Sequence, residues 1–196
     1  MSKIKTLSDT YSIVKNNKYR SIAYNSSCEY TALNNASESI AVTTGEKSRS
    51  CSLGYFSISA TLGNFSYSLN NGRSSLAISS GSFSKVTISG YSTIGSITGS
   101  RSVCEVKGDR SISASTAIES SSKNNGYLSV SCATADYSEA SNDGIRSLSA
   151  VTGYGSIATN RGECSISIAS TYNSRAIVEG RESIAITNGL DCAAKG

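Results

Sequence analysis

The aliphatic residues of this chain fall on a fixed beat. Ile22, Ile40, Ile58, Leu76, Ile94, Ile112, Val130, Leu148, Ile166 and Ile184 follow one another at intervals of eighteen residues. Midway between them stand Thr31, Arg49, Tyr67, Lys85, Val103, Ser121, Glu139, Ile157 and Arg175. Neither the 3.6-residue stripe of an amphipathic helix nor simple alternation accounts for this spacing. A repeat does. From Gly45 glycine recurs every nine residues, through Gly54, Gly63, Gly72, Gly81, Gly90, Gly99 and Gly108 to Gly189, with Ala117, Ala135 and Thr171 filling gaps. Three residues after each such position comes a serine, from Ser12 and Ser21 to Ser183, interrupted only by Tyr30, Thr93 and Cys192. The unit is x-x-S-x-[AS]-x-x-x-G, numbered here as positions one to nine.

Nine residues are too few for a helical hairpin. Alternating small residues followed by glycine read as a strand of about five residues and a tight turn, and stacked parallel strands of this kind form a solenoid. Position four alternates between aliphatic and mixed, so one coil has eighteen residues and two strands. Successive strand residues face opposite ways. Were position four interior, Arg49, Lys85, Glu139 and Arg175 would be buried without counter-charges, at prohibitive cost. Positions three and five therefore face in. The predicted fold is all-β: a parallel β-solenoid of nine-residue strand-turn units, with a Ser/Ala interior and one external aliphatic face. Glycines are expected at the turns for their left-handed backbone geometry. Some ten coils at about 4.8 Å each make a rod of roughly 50 Å. Residues 1–9 read as an N-terminal segment or cap, and residues 10–196 as a single solenoid domain.

Such an interior buries little apolar area, so ladder hydrogen bonds and stacked hydroxyls must carry much of the stability. The external stripe comprises Ile22, Ile40, Ile58, Leu76, Ile94, Ile112, Val130, Leu148, Ile166 and Ile184, joined at position six by Val42, Ile78, Ile168 and Ile186. It exceeds what a soluble monomer normally exposes. A second copy related by a two-fold axis is the simplest cover; a trimer or a different partner would use the same stripe. Tyr19, Tyr55, Tyr91 and Tyr127 recur every thirty-six residues, on one edge at every second coil. They either rim the dimer interface or, with Arg20, Arg73, Arg110 and Arg146, form an edge for another partner.

Composition narrows the chemistry. The 196 residues include no His, Pro or Trp. Without His there is no Ser–His or Cys–His dyad and no imidazole metal site. A net charge of +4 tolerates an acidic partner without demanding one, and by itself does not indicate nucleic acid. Six cysteines, Cys28, Cys51, Cys104, Cys132, Cys164 and Cys192, form no C-x-x-C pair and read as free thiols in a reducing compartment. No run is apolar enough for a signal-peptide core or a membrane helix, which predicts a protein that does not enter membranes and is cytoplasmic, within a host cell, unless it is exported by a route without a signal or carried in a particle.

Calcium-binding rolls need an aspartate in every unit, whereas Asp109, Asp136, Asp143 and Asp191 fall irregularly. An ice-binding face needs a regular outward Thr grid, which the mixed face of Arg49, Tyr67, Lys85, Ser121 and Glu139 does not supply. Gly153 and Gly155 read as turn residues rather than a phosphate cradle, because no helix follows. Glu105, Glu119, Glu139, Glu163, Glu179 and Glu182 read as solvated corner residues. No catalytic residue, metal ligand or cofactor site is assigned.

Segments such as Ser39-Ile40-Ala41-Val42-Thr43-Thr44-Gly45 and Ser183-Ile184-Ala185-Ile186-Thr187-Asn188-Gly189 resemble the S-I-A-x-x-x-G repeats in solenoid heads of trimeric autotransporter adhesins. They are also similar to repeats in uncharacterised proteins of gut bacteria and their phages. The resemblance implies a parallel β-roll with small interior residues and aliphatics on the outer, subunit-facing side, and carries over no functional residue. The expectation is a non-enzymatic protein that dimerises through its Ile face and binds a macromolecule, in the manner of a phage or mobile-element protein blocking a host complex. The alternative is a structural fibre or adhesin-like segment.

Overall fold

The computed structural model describes residues 4–6, 13–17, 19–26 and 28–196. Among these there are twenty-two strands and no helix, so no helix long and apolar enough to cross a membrane is present. The strands run from β1 (Ile4–Thr6) and β2 (Ile13–Asn16) through β3 (Ile22–Asn25) to β21 (Ile184–Thr187) and β22 (Ala193–Lys195). Odd-numbered strands form one eleven-stranded parallel sheet and even-numbered strands another. The register is a strict eighteen residues: Ile94 lies beside Leu76 on one side and Ile112 on the other. The chain is thus the parallel β-solenoid that the eighteen-residue beat predicts, built of strands that have mostly four residues.

The alternation of facing is also as predicted. Position five is fully buried, from Ala23, Ala32 and Ala41 to Ser167 and Ala176, while Arg49 and Lys85 at position four point outward. The odd strands carry the Ile row on their outer surface and form the aliphatic sheet; the even strands form the polar sheet. The chain passes from polar to aliphatic sheet at a first corner, which holds Tyr19, Tyr55, Tyr91 and Tyr127, and returns at a second corner.

Serine at position three has a specific task. Its Oγ accepts the backbone N–H of the equivalent residue one coil earlier, as in Ser66 to Ser84 (3.1 Å) and Ser84 to Ser102 (2.8 Å). The hydroxyl then donates to a turn carbonyl of the preceding coil, as Ser84 does to Gly63 (3.3 Å). At the corner the strand has ended and no ladder carbonyl serves that N–H, so the side chain completes the stack. Thr93 keeps only part of the arrangement: its N–H donates to Ser111 Oγ (3.0 Å), but its hydroxyl donates to the Gly90 carbonyl of its own turn (3.1 Å); Cys192 Sγ faces the Thr171 carbonyl. Ser12 lies outside the described residues.

Two features correct the sequence reading. The left-handed residue of each turn is not the repeat glycine but position two, where nineteen non-glycine residues, among them Phe65, Phe83, Arg101 and Leu128, have φ between 51° and 65°. Each costs about 1–2 kcal/mol in a non-glycine residue. An offsetting bond runs from its N–H to the position-one carbonyl of the next coil, as Phe65 to Ser82 (2.9 Å). The glycines serve close approach instead. A Cβ on Gly63, Gly81 or Gly108 would stand 1.6–2.1 Å from the carbonyl oxygen of the glycine one coil below. Ala36, Ala117, Ala135 and Thr171 occupy the same position, so the turn can shift to admit a side chain and glycine is the unstrained choice.

The second correction concerns the predicted Ser/Ala interior: position seven, inward with positions three and five as strand alternation requires, adds Asn, Ile and Val to it. At the first corner it holds Asn34, Asn70, Asn124, Asn142 and Asn160, all inaccessible to solvent. Each amide spans the turn. Asn70 Nδ2 donates to the Ser57 carbonyl (2.9 Å) in the aliphatic sheet, and its Oδ1 accepts the Gly72 N–H (2.8 Å). At the second corner the equivalent buried hydroxyls of Thr43, Thr61, Ser79 and Ser115 have no protein partner, so this corner gains less from polar bonding. Midway along the rod the interior becomes aliphatic, with Val86, Ile88, Ile97, Cys104 and Val106 around Ala77. Gly95 makes room for them: a Cβ there would lie 2.6 Å from Cys104 Sγ and 2.9 Å from Val106 Cγ2.

Replacing Ser102 by Ala should lower unfolding stability in urea by about 1–3 kcal/mol, because it leaves the buried Ser84 N–H without an acceptor. Ser96→Ala on the outer surface should change stability by less than about 0.5 kcal/mol. A double-mutant cycle tests the Gly95 contact. Gly95→Ala should destabilise by about 1–3 kcal/mol, and Cys104→Ala should recover part of that loss by removing the crowded sulfur.

Candidate functional site

The regular surface of the molecule is the outer side of the aliphatic sheet. Ile94, Ile112, Ile166, Ile184 and Ile186 are exposed, with Ile94 and Ile184 at 46% and 55%. Ile22, Ile40, Val42, Ile58, Leu76, Ile78, Val130, Leu148 and Ile168 lie in the same rows and are half-buried, each screened by the rungs above and below. At the remaining outward positions from β3 to β21 stand Tyr24, Ala60, Ser96, Ala114, Cys132 and Ala150. No outward side chain of this sheet is charged over that span. The polar sheet differs: Glu105 bridges Lys85 (3.0 Å) and Lys107 (3.0 Å), which hold its carboxyl below the usual range.

The first corner brings the predicted tyrosines to one edge, with Tyr19, Tyr55, Tyr91 and Tyr127 exposed by 58%, 55%, 40% and 39%. They do not touch one another, being two coils apart. Tyr19, Tyr91 and Tyr127 reach neighbouring side chains instead. Tyr19 OH donates to Glu38 Oε1 (2.5 Å), and Arg20 Nε donates to Glu38 Oε2 (2.6 Å). These two donors lower the Glu38 pKa, while Glu38 raises that of the Tyr19 phenol. Arg110 lies over the Tyr91 ring at 5.7 Å, and Arg146 Nη1 donates to Tyr127 OH (3.2 Å). A groove of about 410 Å³ runs along the corner, lined by Asn71, Arg73, Ser89, Tyr91, Lys107 and Asp109.

The second corner carries an aromatic row that the sequence reading missed. Phe65 and Phe83 stack at 5.1 Å with Arg101 over the outer ring at 5.7 Å, and Arg101 pairs with Glu119 (2.6 Å). Farther along, Tyr154 stacks on Tyr172 at 5.5 Å and meets Tyr137 edge to face at 5.4 Å. The signal was available in principle: Phe65, Phe83 and Arg101 share position two at intervals of eighteen. Tyr137 and Tyr154 sit at different positions of their units, so only the turn geometry brings them together.

No cluster of three metal-ligating side chains occurs among the described residues. All six cysteines are free thiols; only Cys104 is buried, while Cys28 and Cys164 are exposed and Cys51, Cys132 and Cys192 are half-buried. Burial pushes Cys104 up to about 11, and the hydrogen bond from Cys164 to Glu182 raises the Cys164 pKa as well. Neither Cys104 nor Cys164 is therefore set up as a thiolate nucleophile. No family model, curated protein or solved structure matches this chain.

Alkylation with iodoacetamide at pH 8, followed by peptide mapping, should label exposed Cys28 readily and leave Cys104 unmodified until the protein unfolds. Equal labelling of the two in native buffer would show that the aliphatic interior around Cys104 opens.

Proposed function

We propose that this protein is a non-enzymatic binding module that pairs with a second copy of itself through the aliphatic sheet and presents its polar sheet and corners to a macromolecular partner. One observation carries the pairing: ten consecutive rungs place an aliphatic side chain at the same outward position of one sheet, with no charge among the outward residues.

The dimensions support a second copy as the cover. Ten strands at about 4.8 Å span roughly 48 Å, and four residues at about 3.3 Å give a width of roughly 13 Å. That face offers about 600 Å² per copy and about 1,200 Å² in a pair, the lower end of stable, specific interfaces. An uncharged face does not repel itself. A two-fold axis lays each Ile row against the equivalent row of the other copy, so every exposed rung is covered at once. All the regularity of the chain serves shape, and among the described residues no convergent set of acid, base and nucleophile stands in a cleft, which favours binding over catalysis. A phage or mobile-element protein occupying a host complex fits this reading. A fibre-forming segment is the second reading, favoured by coils that stack in strict register along a single axis.

Sedimentation across a concentration series separates the two. A fixed dimer supports the binding module, and open-ended growth supports the fibre. The double substitution Ile94→Asp/Ile112→Asp should convert the dimer to a monomer or to insoluble material, since it buries two uncompensated charges per copy. An unchanged dimer mass would place the contact on another surface.

A further inference from the structure

We infer that the first corner, between Arg73 and Arg146, is a binding site for single-stranded nucleic acid. This inference rests on the reading of the corners as partner-binding surfaces, and is independent of the pairing of aliphatic sheets.

The case begins with charge. Arg73, Arg110 and Arg146 stand on this one edge at intervals of two coils, about 10 Å apart. Among the described residues none of the three forms an ion pair, although seven ion pairs occur elsewhere, including Arg20–Glu38 and Arg161–Asp143. The one carboxylate lining the groove, Asp109, is turned into the corner, where Oδ1 accepts the Tyr127 N–H (2.9 Å). Lys107 is engaged by Glu105 and is not counted. What remains is a line of three guanidinium groups with no acidic partner on a mildly basic protein.

Aromatic placement makes the line selective. Tyr91 and Tyr127 lie on the coils between the arginines, and each orients the arginine nineteen residues later: Tyr91 by ring contact with Arg110, Tyr127 by accepting a hydrogen bond from Arg146. Holding a guanidinium on an aromatic side chain limits its rotamers and leaves donors free for a phosphate. Both rings remain 39–40% exposed, accessible to a base. Guanidinium groups following a backbone, with aromatic rings set between them, are the components by which proteins hold single strands without reading sequence. The groove beside Arg73 and Tyr91, about 410 Å³ with Asn71 and Ser89 on its wall, gives an unstacked nucleotide room to enter. A duplex is a poor fit, because its bases are stacked inside and cannot reach the tyrosines.

The test is a fluorescence-anisotropy titration of a labelled 20-nucleotide oligothymidylate at 50, 100 and 200 mM NaCl. Three phosphate contacts predict a slope of log K against log salt of about −2. Arg73→Gln/Arg110→Gln/Arg146→Gln should weaken binding at least tenfold at 50 mM and bring the slope close to zero. Tyr91→Ala/Tyr127→Ala should weaken binding about fivefold or more and leave most of the slope in place, which a purely electrostatic surface would not do. Arg49→Gln/Arg175→Gln, on the polar sheet, should leave affinity unchanged. Ile94→Asp/Ile112→Asp, where soluble, should bind as the parent does, so a failure of pairing and a failure of this site are read separately. These corner side chains are exposed, and thermal melts coinciding with the parent's identify the folded variants. Absence of binding at 50 mM overturns the inference. So does binding that the arginine substitutions leave intact, or a heparin fragment that binds equally well and is insensitive to the tyrosine substitutions.

Discussion

Everything in this molecule follows from stacking identical turns one directly above another, with strands at the spacing of a β-ladder. In the flat parts of a coil, backbone groups satisfy one another automatically. At the corners they do not, since the chain is bending and its amides point partly along the rod. The Ser hydroxyls at position three, the Asn amides at position seven and the glycines at position nine are three responses to that one constraint. The first two supply hydrogen-bond partners that bent backbone lacks, and the third removes a Cβ that would strike the coil below.

The same constraint explains why a Ser/Ala interior suffices. With two sheets joined by four-residue strands and short turns, there is no space for an ordinary layer of large side chains. Polar groups can be buried at tolerable cost because most of them meet a partner in the facing strand or an adjacent coil, the second-corner hydroxyls of Thr43, Thr61, Ser79 and Ser115 excepted. Where the interior does widen, as around Val86, Ile88, Ile97 and Val106, Gly95 compensates across from Cys104. With small residues committed to the inside, the branched aliphatics are displaced to the outside of one sheet, and the functional reading of that surface as an interface is a consequence of the interior's narrowness.

A repeat that specifies shape so strictly leaves few positions free. Positions one, two and eight project from the corners and carry most of the aromatic and charged variety: the tyrosines and arginines of the first corner, and the stacked phenylalanines and tyrosines of the second. Binding chemistry in a solenoid of this design belongs at its edges, where side chains are set by the turn yet do not disturb the ladders. Left-handed residues at position two are part of this arrangement. The backbone strain is distributed over nineteen non-glycine residues and offset by coil-to-coil bonds, which frees that position to hold Arg, Phe or Glu.

The sequence by itself determined the coil. An eighteen-residue beat at position four fixes two strands per turn, and the impossibility of burying Arg49, Lys85, Glu139 and Arg175 fixes which face points inward, because side chains alternate along a strand whatever else the chain does. Tertiary structure alone decided three things. It assigned positive φ to position two, which carries almost no Gly or Asn to advertise it; it set the position-seven Asn amides across the first-corner turn; and it paired Tyr91 with Arg110 and Tyr137 with Tyr154. Those outcomes depend on the path of the backbone through a corner. Residues seventeen to nineteen apart become neighbours only once the coil has closed, and the direction each corner side chain takes is set by turn dihedrals that no periodicity encodes.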